Sequence, residues 1–243
     1  MHIWNWPPTE RAILRAVAVQ VRLLTLDQIA RIWFANTPAP RQFAEETVCR
    51  LEEAGLLRRE IVEAHPLLSL GDALLSWTPT EGMPSEEVLQ DISQIAIGRW
   101  TLPESAVQIF VATKDASHLF GAFHNASSSK HCEATHDMHV AEVFVRYAVS
   151  EPASAAMWLG EAAFPKLGFE IHRMKDPDAF IVDEAGSIQR VVEFAGKYDV
   201  KHLEDFHHHC SGQACDRIAR AVQNTDGILA KLYSPSGTEY EIW

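Results

Sequence analysis

The sequence predicts a mixed α/β protein of two domains. Three features lead there: successive short segments of helical period in the first third, alternating strand and helix patterns from about residue 105 onward, and a turn-rich break at residues 79–85 between them. The 243 residues are 47% hydrophobic, enough for one large or two small cores. No apolar stretch approaches the roughly 18 residues a membrane span needs, and four cysteines suit a reducing compartment better than a disulfide framework. The first residues lack the basic and apolar regions of a secretory signal, so a cytoplasmic protein is expected. The 21 Lys and Arg against 33 Asp and Glu give a formal net charge of −12. Contact with nucleic acid therefore has to come from a local basic patch.

Residues 9–21 carry Ile13, Leu14, Val17 and Val21 at helical spacing, with Thr9 as the expected N-cap after Pro7-Pro8. A second helix starts at Thr25, where Gln28 three residues later completes a capping box, and it buries Leu26, Ile29, Ala30 and Trp33. After the Pro38-Ala39-Pro40 turn, residues 41–54 place Ala44, Thr47, Val48 and Leu51 on one face, and Gly55 stands where a helix end takes left-handed geometry. Residues 56–62 and 73–78 then read as two strands around a turn-rich stretch with Pro66 and Gly71. The stretch RLEEAGLLRRE resembles the end of a winged-helix recognition helix passing into its wing. That resemblance implies a helix-turn-helix reader in the major groove, with Arg41 and Arg50 on the third helix and Arg58 and Arg59 on the wing as DNA contacts. Glu45, Glu46, Glu52 and Glu53 make the third helix net acidic, so dimerisation or protein docking is the competing expectation.

The expected domains are a winged helix over residues 1–83, a linker helix over 84–104 that starts at Ser85, and a second domain over 105–243. Residues 107–112 read as a strand and 117–130 as a loop. A helix follows from about His136, with Val140, Val143, Phe144, Tyr147 and Ala148 on its apolar face. Three strand segments come next, at 157–164, 178–183 and 189–195, the last two joined by a turn at Glu184-Ala185-Gly186. A helix at 198–210 turns Val200, Leu203, Phe206 and Cys210 inward, and strands are expected at 227–233 and 239–243. The order is helix, three strands, helix, strand.

Asp178 begins one strand of the expected hairpin and Glu193 sits on its neighbour, so the two carboxylates can converge on one divalent cation. Mg²⁺ held there would orient a water and stabilise charge in an in-line displacement at phosphorus. A Glu in the run Val191-Val192-Glu193-Phe194 also needs a partner among apolar neighbours, and Lys175 and Arg190 are the cross-strand candidates. The segment order and the Asp178 and Glu193 positions resemble the PD-(D/E)xK nuclease-like superfamily, whose restriction-endonuclease-like core runs αβββαβ. The segments HDMHVAEVFVRY, WLGEAAF, DPDAFIV and VVEFAGKYDVKHLEDFH, together with the winged helix, resemble replication-relaxation proteins of plasmids and other mobile elements. The resemblance implies Asp178 and Glu193 as metal ligands with Glu161 as a third carboxylate, Glu142 being its substitute. The motif lysine two residues after the Glu is missing: the chain has Ala195. Lys197 and Lys201 are the candidates to replace it, because a long flexible ammonium can reach the same point from another backbone position.

His136, at the start of its helix, is a further candidate for proton transfer or phosphate contact. Zinc is disfavoured: Cys210 and Cys215 are spaced too widely, and His131, Cys132, His139 and the run His207-His208-His209 supply no second ligand pair of matching spacing. There is no glycine-rich phosphate loop, G-x-S-x-G elbow or H-E-x-x-H pair. Three functions are thus expected in order: a DNA-associated accessory protein of a mobile element, dimeric through its winged helix and carrying a nuclease-like domain retired from catalysis; a Mg²⁺-dependent DNA endonuclease; and a protein-docking adaptor that touches no nucleic acid.

Overall fold

The computed structural model describes residues 6–122, 133–160, 163, 177–211 and 238–243. In chain order the elements are α1 (Pro8–Arg15) with a π-helical turn (Ala16–Gln20), β1 (Leu24–Thr25), α2 (Leu26–Trp33), α3 (Pro40–Glu53), β2 (Leu57–Ala64) and β3 (Leu75–Trp77). Then come α4 (Glu86–Gly98), β4 (Ser105–Ala112), α5 (Lys114–Leu119), α6 (Ala134–Ser150), α7 (Pro152–Ala156) and β5 (Trp158–Gly160). The last are β6 (Ala179–Val182), β7 (Ile188–Glu193), α8 (Val200–Cys210) and β8 (Glu239–Ile242). Among the described residues no helix is long and apolar enough to cross a membrane. The chain is a mixed α+β protein, and the strand expected at 227–233 lies outside the described residues.

The chain divides into two compact units, each assembled from two separate stretches: Met1–Leu68 with Leu102–Pro165, and Ser69–Thr101 with Lys166–Trp243. This differs from the consecutive boundaries expected at residues 83 and 104. The stretch holding β3 and α4 belongs to the second unit, and β4, α6 and β5 belong to the first.

In the first unit, α2 is held open at its start by reciprocal bonds, Gln28 N donating to Thr25 Oγ1 (3.3 Å) and Thr25 N to Gln28 Oε1 (3.0 Å), the capping box the sequence specifies. α3 ends at Gly55, whose φ of 70° only glycine adopts cheaply. β2 then pairs antiparallel along its whole length with β4, from Leu57 opposite Ala112 to Ala64 opposite Ser105, and β1 pairs with the other edge of β4. The strand order is β1-β4-β2. The partner expected for β2, residues 73–78, is a strand but pairs elsewhere; its alternation of apolar and polar residues is compatible with any neighbour. One face of this sheet covers Leu23, Val62, Ala64, Ile109, Val111, Ala134 and Met138.

α6 is buried on nearly all sides, so its polar residues need partners within the unit. Glu142, 5% exposed, accepts from Arg31 through two nitrogens at 2.7 and 3.0 Å and from Gln28 Nε2 at 3.1 Å. His139, fully buried, donates from Nδ1 to Thr135 O (2.6 Å) and accepts Leu68 N–H at Nε2 (3.1 Å). Near the end of this unit Trp158 Nε1 donates to Gln20 O at 2.8 Å. A Cβ on Gly160 would stand 2.1 Å from the same oxygen, so only glycine fits there.

In the second unit β3, β8, β7 and β6 lie side by side in that order. β6 and β7 form an antiparallel hairpin whose turn is fixed by Gly186 (φ 80°) and by Asp183 Oδ1, which accepts from Ala185 N and Ser187 N. α8 follows, and β8 returns parallel to β7, with Arg190 opposite Glu239 through Glu193 opposite Ile242. Trp77 of β3 stacks on Tyr240 at 5.3 Å, and Phe206 of α8 meets the same ring edge-on.

Candidate functional site

The register that sets Ala179 opposite Val192 brings Asp178 opposite Glu193 on the neighbouring strand, so both side chains leave the same face of the hairpin. The convergence expected from sequence is there, and it is filled with internal hydrogen bonds. Asp178 N donates to Glu193 Oε2 at 3.2 Å, and Phe194 N donates to Asp178 Oδ2 at 2.7 Å. Tyr198 OH donates to Glu193 Oε1. Glu193 is fully buried, and a carboxylate so placed depends on such donors.

Tyr198 reaches that position because the chain turns sharply after β7. Gly196 takes a φ of 51°, Tyr198 N donates to Ala195 O (3.0 Å), and Asp199 then caps α8 by accepting from His202 N at 2.9 Å. The Asp199 carboxylate is held below its ordinary pKa mainly by that backbone bond. The Tyr198 ring stacks on His202 at 5.6 Å. Ser93 Oγ of α4 donates to Tyr198 O (3.0 Å), and Trp100, just after that helix, donates from Nε1 to Gly196 O (3.1 Å). Arg99 lies 4.2 Å above the Phe194 ring, and burial pulls its guanidinium down to about 10. Sequence reasoning missed Tyr198, Trp100 and Arg99. The only signal for Tyr198 was its place five residues after Glu193 at a helix start.

The lysine replacements are placed as follows. Ala195, in the motif's lysine position, is fully buried and donates its N–H to Trp243 O. Lys197 is exposed in the turn. Lys201 is exposed on α8 and paired with Asp205 at 2.6 Å, which raises its pKa. Arg190 reaches Glu239 (3.1 Å) and Glu241 (2.9 Å) on β8. Glu161 and Lys175 lie outside the described residues, as do His131, Cys132 and Cys215. Glu142 and His136 belong to the first unit, where His136 sits 3.8 Å from Asp137. Asp178 and Glu193 are two carboxylates, and among the described residues no group of three or more His, Cys, Asp or Glu is placed to hold a metal ion.

All four arginines expected at DNA are engaged with acids of the first unit. Arg41 meets Asp27 at 2.5 Å, Arg50 meets Glu10 at 2.8 Å, and Arg58 meets Glu60 at 2.5 Å. Arg59 is held between Glu45 (2.8 Å) and Glu52 (2.7 Å) and lies 5.0 Å over the Phe110 ring. Its hydrogen bonds to Glu52 raise its pKa above the usual guanidinium value. Only Arg59 takes its partners from the acidic residues of α3; Arg41, Arg50 and Arg58 pair with acids of α2, α1 and β2. Compared with protein-family models, curated proteins and solved structures, the chain matches none.

Proposed function

We propose that this chain is a DNA-associated accessory protein of a mobile element, acting in replication, relaxation or its regulation, whose second unit is nuclease-like in plan and does not cleave. What supports the DNA-associated part is the first unit's three helices leading into a sheet ordered β1-β4-β2, an order a winged helix would have. The second supports the nuclease-like part through an antiparallel hairpin, a helix, and a strand returning parallel to the hairpin. The mobile-element setting comes from the resemblance of its motifs. One observation carries the retirement: Asp178 and Glu193 face each other across the hairpin and accept hydrogen bonds from Phe194 N, Asp178 N and Tyr198 OH, while Ala195 stands where the motif has lysine. The test is nicking of supercoiled plasmid with Mg²⁺ or Mn²⁺ by the native chain and by Asp178→Ala. The expected result is no metal-dependent nicking by either; nicking by the native chain that Asp178→Ala abolishes establishes the endonuclease.

A second reading, a protein-docking adaptor, is favoured by the ion pairs of Arg41, Arg50, Arg58 and Arg59. DNA binding across a salt series separates the two. Phosphate contacts release counterions and give affinity that falls steeply with salt, and Arg58→Ala with Arg59→Ala should flatten that slope. No DNA binding at low salt selects the adaptor.

A further inference from the structure

β2 is an edge strand. β4 occupies one side of it, and among the described residues no strand pairs with the other. The backbone groups of alternate residues that face away from β4 are a template for another strand, and natural edges of this length are protected by charge, bulges or cover. Here two cations, Arg58 and Arg59, are followed by two anions, Glu60 and Glu63. Along the face that carries Arg59, Ile61 and Glu63, Ile61 is 69% exposed and Glu63 is exposed, with no ion pair among the described residues. An isoleucine so open at the middle of an edge strand, between a cation and an anion, has the pattern of a self-complementary seam.

We propose that two copies of this chain join through β2, antiparallel, about a two-fold axis at Ile61. A closed two-fold that keeps both cores on the same side of a continuous sheet requires residues of like face to lie opposite one another, so the register moves only in steps that keep each side chain on its face. Centred on Ile61, the pairing sets Ile61 against Ile61 of the second copy and Arg59 against Glu63 on both flanks. Centred on Glu60 it opposes two glutamates, and centred on Val62 it sets Ile61 against Glu63. Directly opposed apolar and opposite-charge pairs are the units that stabilise a sheet, and like charges there destabilise it. Of these three registers, the Ile61 one alone sets the exposed isoleucines together without opposing like charges, and Glu63 faces Arg59, which keeps Glu45 and Glu52 of its own copy.

The test uses the full chain. Sedimentation velocity from low to high micromolar concentration should show a reversible dimer. Ile61→Lys should abolish it, and Glu63→Arg, which opposes two arginines on each flank, should weaken it by about tenfold or more, both with unchanged thermal melting of the monomer. Ile61→Cys should form a covalent dimer on mild oxidation, since directly opposed residues bring their Cβ atoms within disulfide reach, while Glu63→Cys should not. A native chain that stays monomeric throughout overturns the proposal. So does a dimer that survives both charge variants, or equal cross-linking at positions 61 and 63.

Discussion

Replacing Tyr198 with Phe removes one oxygen and keeps the ring, so its stacking on His202 survives and the bond to Glu193 is lost. Hydrogen bonds to charged groups are worth about 1.5–3 kcal/mol, and Glu193, with no exposed surface, has no bulk water to replace the donor. The expected loss is therefore in the upper part of that range, about 2–3 kcal/mol. For a chain of this size that amounts to about 4–12 °C in melting temperature. Circular dichroism melting and urea titration at pH 7 measure it. Glu193→Gln supplies the second arm of a double-mutant cycle, with a coupling between the two sites of about 1–2 kcal/mol. A Tyr198→Phe variant as stable as the native chain, or a cycle with no coupling, would refute the view that Tyr198 holds the Glu193 carboxylate.

Three further outcomes follow from the geometry. Glu142→Gln breaks a buried carboxylate's two-pronged pair with Arg31 and should cost about 2 kcal/mol, less than a fully buried pair because Arg31 is half exposed; chemical denaturation reads it. Gly160→Ala drives a methyl into Gln20 O and displaces the bond from Trp158, costing about 3 kcal/mol, whereas Gly82→Ala, with open space around it, should leave the melting temperature within a degree or two. His207 is held below its ordinary pKa by burial and then by His208, so the unfolded chain takes up its proton first as pH falls. Its contribution to stability is intact above about pH 6.5 and is lost as pH drops below that value. A His207→Gln variant should therefore show a flatter fall in melting temperature between pH 7.5 and 5.5 than the native chain.

Local rules were legible wherever short-range chemistry decides. The Thr25–Gln28 box, the left-handed Gly55, the turn at Gly186 and the apolar stripe of α8 are each set by a few consecutive residues, and each is in the structure where the pattern put it. The meeting of Asp178 and Glu193 was legible too, because a short turn fixes hairpin register. Pairing over longer distance was not. Both 73–78 and 107–112 read as strands, and nothing in either says that β2 takes the second while the first pairs with β8. That each compact unit is built from two separate stretches was not legible for the same reason, since an inserted stretch leaves no mark in its own periodicity. The ion pairs of the arginines were not legible either. Arg50 reaches Glu10, forty residues away, and Arg59 is clasped by two acids of α3, partnerships that only the packing of α1, α3 and β2 creates.

On the proposed reading, Asp178 and Glu193 serve the fold's own donors rather than a catalytic cation. Calorimetric titration of Mn²⁺ into the native chain and into Asp178→Asn tests it most directly, because Mn²⁺ accepts the same oxygen ligands as Mg²⁺. No saturable binding that distinguishes the two proteins is expected. Binding to the native chain that disappears in Asp178→Asn would contradict it.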